Sequence, residues 1–277
     1  MFCKNRGNSK KSHRYTKQIM KDSLHIALIQ APLVWENADS NRNYFSKKIL
    51  AISEAVDVFI LPEMFTTGFT MNANPLAETM QGKTLSWMLN LAKEKQSAIT
   101  GSIIIKENGN YYNRLLFVFP SGELKTYNKK HLFTLAAENQ VYTAGNAKLI
   151  IDFHGWKLCP LICYDLRFPV WARNKEIYDV LIFVANWPKM RITAWDTLLK
   201  ARAIENMVYC VGVNRVGTDG NGYEYVGHTA IYDALGKNVS PDLKEKEGIT
   251  IVCLEKLHLQ ETRNTLKFLE DIDEFQI

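Results

Sequence analysis

A thiol, a carboxylate, an amine and an amide each stand where a strand-like run stops. Cys163 closes the run Lys157 to Ile162, Glu63 follows Val56 to Pro62, Lys129 follows Leu124 to Asn128, and Asn186 follows Val180 to Ala185. Taken singly, each has a plain explanation: a free cysteine usually behaves as a small buried hydrophobe, and an isolated glutamate caps or pairs at the surface. Taken together they suggest chemistry, because sheets of the open α/β kind build their sites at the carboxyl ends of strands. A thiol beside an acid and an amine supplies a nucleophile, a base and a donor for a developing oxyanion.

The neighbouring residues narrow that chemistry. Lys129 is followed by Lys130, ordinarily a solvated turn, but Tyr127 and His131-Leu132-Phe133 flank the pair and imply a partly desolvated amine. His131 is a rival partner for the thiol and reads better as a core or hydrogen-bonding residue, since nothing in the sequence aims it at Cys163. Glu138 precedes Tyr142-Thr143-Ala144-Gly145 in a loop, where a solvent-facing acid is the plain alternative. Gly217 to Gly222 is glycine-rich but lacks the Lys-Ser/Thr of a phosphate loop, so it is a turn. Cys159 and Cys163 lie four apart without a second Cys or His pair nearby, which argues against zinc.

These positions need a scaffold, and the hydrophobic pattern predicts one. Leu24 to Gln30, a helix over Asn41 to Ala55 and Val56 to Leu61 form a β-α-β opening; a helix over Thr84 to Gln96 and a strand at Ala98 to Ile105 continue it. Pro62 ends the second strand and starts a loop, Met64 to Phe69, with a glycine and aromatic walls. Turn signals at Glu107 to Asn110 and at Pro120-Ser121-Gly122 make the middle antiparallel. Strands at Lys148 to Phe153, Asp179 to Ala185 and Met207 to Val213, a helix over Thr193 to Asn206, and closing strands at Ala230 to Tyr232 and Ile249 to Leu254 follow. The segment Thr265 to Ile277 reads either as packing on a neighbouring subunit or as a frayed end. The unaided reading is a mixed α/β protein.

At 277 residues, 47% hydrophobic and 23% charged, the chain has the profile of a folded globular protein, without an apolar run near the ~18 residues of a membrane span. The net charge of +5 resembles that of a nucleic-acid binder, but residues 1–19 hold six basic side chains and no acid, so the remainder carries −1. Residues 1–22 are therefore expected to be a basic, disordered extension of a domain spanning 23–277, with an upstream mis-start before Met20 or a mitochondrial transit peptide as competing readings. Five cysteines in no dense framework favour a reducing compartment, here the cytoplasm.

Leu61-Pro62-Glu63-Met64-Phe65, Tyr127 to Phe133 and Leu161 to Pro169 resemble, in order, the three signatures of the carbon-nitrogen hydrolase (nitrilase) superfamily. Phe65 to Phe69, Val184 to Pro188, Ala201 to Asn206 and Asn214 to Gly222 are most similar to the omega-amidases that hydrolyse 2-oxoglutaramate. The resemblance implies a four-layer α-β-β-α sandwich, a homodimer paired through a helical face, and a reaction that needs neither metal nor cofactor. It makes Glu63 the general base, Lys129 the oxyanion donor, Cys163 the nucleophile and Glu138 a further acid. Phe65, Tyr164, Asn186, Trp187 and Arg191 are then expected around a small amide substrate, with Arg191 favoured over Lys189 for a substrate carboxylate and Arg167 expected in a structural ion pair. No nucleic-acid or membrane partner is expected. N-carbamoyl compounds, aliphatic amides or nitriles are alternative substrates under the same triad. A binding protein with an inert cysteine and a nucleic-acid-binding tail is the alternative of another class.

Overall fold

Alternation along the strands decides the architecture. In β1 (Ser23–Gln30), Leu24, Ile26 and Leu28 enter one apolar cluster while Ala27 and Ile29 enter another; in β2 (Val58–Ile60), Val58 and Ile60 part from Phe59 in the same way. Because successive side chains point to opposite faces, such strands are covered on both sides. The computed structural model describes residues 20–274. Residues 1–19, expected to be an extension, lie outside the described residues. Residues 20–22 lie against the body, where Lys21 pairs with Asp57 and its carbonyl accepts from the Trp156 indole at 3.0 Å.

The first sheet has the order β13-β1-β2-β3-β4-β5, adding β3 (Ala98–Glu107), β4 (Asn110–Val118), β5 (Leu124–Asn128) and β13 (Gly248–Glu255). The second has the order β12-β9-β8-β7-β6, from β6 (Ile151–Phe153), β7 (Trp156–Ile162), β8 (Val180–Val184), β9 (Tyr209–Val213) and β12 (Ala230–Tyr232). β1, β2 and β3 are parallel, as are β7, β8 and β9, with antiparallel strands at the edges. β10 (Val216–Thr218) and β11 (Glu224–Val226) pair around the glycine-rich turn.

One large cluster joins Leu24, Ile26, Leu115 and Phe117 of the first sheet to Leu158, Leu161, Ile182 and Val211 of the second, so the sheets share a core. Outside the first sheet, α1 (Ala38–Leu50) and α3 (Lys83–Lys95) pack Phe45, Ile49, Met88 and Leu91 against its other face. Beyond the second, α6 (Ile192–Asn206) packs Trp195, Leu199 and Ala203, and α7 (Lys256–Leu266) packs Leu259. Short turns α2 (Ala73–Leu76), α4 (Glu138–Val141) and α5 (Pro169–Ala172) complete the helices. The result is the expected α-β-β-α sandwich.

Several boundaries differ from the pattern-based expectation: β2 and β6 are shorter than foreseen, and α1 is shifted towards the N-terminus. The first helix stops at Leu50 rather than Ala55, and beyond it the carbonyls of Ile52 and Val56 accept from Lys95 Nζ (2.6 Å) and Ser97 Oγ (2.7 Å). A further helix, α7, occupies a stretch, nearly all of it before Thr265, to which the pattern assigned no element. Arg263 of α7 holds it down, donating to the carbonyls of Met207 and Tyr178 at 2.8 and 2.6 Å and pairing with Asp179 at 3.1 Å.

Candidate active site

β5 runs antiparallel to β4, which runs antiparallel to β3, so β5 points the same way as β2. Glu63, just past β2, and Lys129, just past β5, therefore reach the same edge of the first sheet. β7 and β8 are parallel and deliver Cys163 and Asn186 to the facing edge of the second. The four side chains meet on the floor of a cavity of about 600 Å³, within the range of small-molecule sites.

Lys129 Nζ lies 2.8 Å from Glu63 Oε1 and 3.0 Å from both oxygens of Glu138. Glu63 and Glu138 are 0% exposed and Lys129 1%, so no water screens these charges. Glu63 also accepts from the Asn186 backbone N–H at 2.9 Å, while the Asn186 amide donates to the Glu63 carbonyl at 2.6 Å. Glu138 accepts from the Phe133 N–H at 2.6 Å. Burial works against the charge on Lys129, but Glu138, Glu63 and Cys163 outweigh it and hold its pKa above the ordinary value. Burial raises the pKa of Glu138, with Glu63 adding to the rise and Lys129 opposing it.

Cys163 is partly buried on the cavity floor and has φ +43°, left-handed backbone that a residue with a Cβ rarely adopts. Holding it there costs about 1–3 kcal/mol, and such strain gathers at sites that must project one side chain sharply. Glu63 lies close enough for its negative charge to act on the Cys163 sulfur. Burial first, then the Glu63 charge, push the thiol pKa well up, against the pull of Lys129. The resting group is a thiol beside a carboxylate.

Of the other expected residues, Tyr164, Asn186, Trp187 and Arg191 line the cavity. Phe65 does not: it is fully buried in the core beside Phe45 and Trp87, under the α1 and α3 layer. Four residues on, Phe69 takes the wall position, with Lys129 Nζ 5.1 Å from its ring centre. Met64, at φ +42°, and Gly68, at φ +77°, turn the intervening loop. His131 does not approach the thiol; its ring lies on Phe168 and bonds Asp165 at 2.8 Å.

The cations also sort differently from expectation. Lys189 is paired with Glu224 at 2.9 Å. Arg167, foreseen in an ion pair, has no carboxylate partner among the described residues; it lies 4.9 Å over the Trp187 ring and lines the cavity. The nearby Asp165 cannot serve it, being buried and occupied by Tyr127, His131 and Ile162. Arg191, 5.1 Å over Phe133, likewise lacks an acid. Both cations are available to an anionic ligand.

Asn113 was not foreseen. Midway along β4, it donates to Glu63 Oε1 at 2.8 Å and Glu138 Oε1 at 3.4 Å, fixing the two acids relative to each other. Its signal was an asparagine beside an otherwise apolar stretch, Leu115 to Val118, where polar side chains need a reason. Among the described residues no cluster of three or more His, Cys, Asp or Glu could hold a metal ion.

Known proteins resemble the chain in sequence and in fold. The chain is 40% identical over 254 residues to omega-amidase YafV of Escherichia coli (strain K12), covering 92% of this chain and 98% of the relative. It is 33% identical to the 2-oxoglutaramate amidase of Bacillus subtilis (strain 168), over 79% of this chain and 86% of that one. XC1258 of Xanthomonas campestris, a CN-hydrolase superfamily protein solved with an arsenic adduct in its active site, superposes with a TM-score of 0.90 at 38% identity, covering 92% of this chain and 99% of that one. The sequence pattern of the carbon-nitrogen hydrolase family matches residues 25–264, and the chain belongs to that family.

Proposed function

We propose that the protein is an omega-amidase that hydrolyses the terminal amide of 2-oxoglutaramate, and of similar omega-amides such as 2-oxosuccinamate, to the 2-oxo dicarboxylate and ammonia. The observation that carries the reading is the convergence on one cavity floor of the Cys163 thiol, the Glu63 carboxylate whose charge acts on it and the Lys129 ammonium 2.8 Å from that carboxylate. Similarity to omega-amidases selects the substrate class. The two acid-free arginines at the cavity wall suit the carboxylate that such an amide carries at its far end.

In this reading Cys163 Sγ attacks the amide carbon as Glu63 takes the thiol proton, forming a tetrahedral oxyanion. Lys129 has three protons; one on Glu63 and one shared by the two oxygens of Glu138 leave the third for that oxyanion. The backbone N–H of Tyr164 supplies a second donor, and preorganised donors of this kind contribute about 3 kcal/mol each. As the C–N bond breaks, Glu63 returns its proton to the nitrogen and ammonia leaves. A water, deprotonated by Glu63, then attacks the thioester carbon; the C–S bond breaks, the carboxylic acid departs and the thiol is restored. Glu138 and Asn113 hold Lys129 and Glu63 in place throughout.

The same reading makes the protein a homodimer, supported by exposed apolar Val170 and Ile204 on the helical layer of the second sheet. It places the enzyme in the cytoplasm, supported by the four cysteines among the described residues, Cys159, Cys163, Cys210 and Cys253, all free. Among the described residues no helix is long and apolar enough to cross a membrane.

Ammonia release measured side by side on 2-oxoglutaramate, an N-carbamoyl amino acid, a short aliphatic amide and a nitrile tests the substrate. Turnover of 2-oxoglutaramate should exceed the others by at least tenfold, with an acyl adduct on Cys163 in mass spectra of enzyme quenched during turnover. An inert 2-oxoglutaramate beside another substrate that turns over would end the omega-amidase reading and leave the triad standing.

A further inference from the structure

The two groups that must meet at the oxyanion belong to different sheets, Lys129 to the end of β5 and Cys163 to the end of β7. One side chain ties both ends together. Asp165, 0% exposed, accepts four hydrogen bonds. Its Oδ2 accepts from the Tyr127 hydroxyl at 2.8 Å and from the Ile162 N–H at 3.0 Å; its Oδ1 accepts from the His131 N–H at 3.0 Å and from His131 Nδ1 at 2.8 Å. An ionised carboxylate has no proton to give, so Nδ1 carries the imidazole proton in that last bond. Tyr127 and His131 stand two residues before and two after Lys129, and Ile162 immediately precedes Cys163. Asp165 therefore grips both flanks of the lysine while bridging back across the strained cysteine.

The donors are themselves held. The Tyr127 hydroxyl accepts from the Trp171 indole at 3.1 Å and from the Lys130 N–H at 3.2 Å. The His131 ring lies parallel to Phe168 with centres 3.6 Å apart, which fixes the direction of Nδ1. Asp165 does not line the cavity, so it cannot touch substrate.

We propose that Asp165 is a positioning residue for the amidase reaction, a clamp that sets the Lys129 ammonium against the Cys163 elbow across the gap between the two sheets. It rests on the reading of Cys163 as nucleophile and Lys129 as oxyanion donor, and assigns the geometry that reading needs to one buried carboxylate. Misplacing reacting groups by about 1 Å can cost roughly 100-fold in rate, so the clamp acts on kcat and leaves substrate binding alone.

Two variants test it. In Asp165→Asn the side-chain NH₂ must face a backbone N–H, of Ile162 or of His131, that cannot accept, so at least one of the four bonds is lost. In Tyr127→Phe a single donor to Asp165 is lost while the ring still fills the core. With 2-oxoglutaramate as substrate and kcat normalised to folded enzyme, Asp165→Asn should lower kcat about 10- to 100-fold and Tyr127→Phe about 3- to 10-fold, KM staying within about twofold in both. Asp165→Glu, one methylene longer, should not restore the rate. A folded Tyr127→Phe enzyme with wild-type kcat overturns the proposal, as does a folded Asp165→Asn enzyme that only loses thermal stability; if Asp165→Asn fails to fold, Tyr127→Phe decides alone. Wild-type enzyme that turns over without an acyl adduct on Cys163 would instead overturn the reading of the nucleophile, a distinct result.

Discussion

The floor and the mouth of the cavity are built on opposite principles. At and just beneath the floor, Glu63, Lys129 and the supporting Glu138 are at most 1% exposed, and each has at least two polar partners. At the mouth, Leu135 is 79% and Tyr223 47% exposed, and Arg167 and Arg191 rest on ring faces without an acid. Buried charges must be paired closely because an unpaired one costs several kcal/mol, whereas a cation over an aromatic ring contributes about 0.5–2 kcal/mol. The chemistry is thus over-determined and the choice of amide is not. Substitutions at the floor should be ruinous, and those at the mouth graded.

The sharpest test of that contrast is Cys163→Ala, expected to lower ammonia release roughly 10⁴-fold or more while the protein stays folded. Ammonia release above a hundredth of wild type would show that the floor is not where the bond breaks. Next is Lys129→Met, which leaves two carboxylates buried without their cation and should cost about 3–5 kcal/mol of stability in denaturant titrations. Adding Glu138→Gln should recover part of that stability and none of the activity. Stability regained together with turnover would reduce Lys129 to a structural ion.

At the mouth, Arg167→Ala should raise KM for 2-oxoglutaramate about tenfold and leave kcat within about twofold, as loss of uniform binding does. A fall in kcat at constant KM would move Arg167 from the mouth to the floor. The smallest effect concerns the thiol itself. Burial and the negative charge of Glu63 both disfavour thiolate, so the pKa is raised and less thiolate is present at neutral pH. Alkylation of Cys163 by iodoacetamide should therefore keep climbing beyond pH ~8.5, where an ordinary free cysteine is half ionised. In Glu63→Gln the like charge is gone, the pKa falls, and alkylation at pH 7 should rise a few-fold although turnover is lost. An unchanged profile would mean that Glu63 does not face the sulfur.

The degree to which the site was readable in the chain follows from how local its signals are. Cys163, Glu63, Lys129 and Asn186 each stop a strand within a few residues, and a stop is a local event. Phe65 looked like a cavity wall because it sits in an aromatic loop, yet only the turn at Met64 and Gly68 decides that Phe69 faces the ligand space and Phe65 faces α1 and α3. Arg167 looked paired because Asp165 is two residues away; the carboxylate is turned inward toward donors 38 and 34 positions distant. α7 went unassigned because it is short and mostly polar, with Leu259 its one buried residue.

By itself the sequence determined which residues end the strands, the period of two that covers both faces of β1 and β2, and the three ordered motifs of a carbon-nitrogen hydrolase. Tertiary structure alone decided that β5 runs parallel to β2, that Asn113 lies between the two acids, and that Asp165 bridges the lysine and cysteine loops. The physical reason is range: alternation and strand breaks arise from covalent neighbours. The pairing of a buried carboxylate depends on which strand the fold lays beside it, a choice made by the whole core.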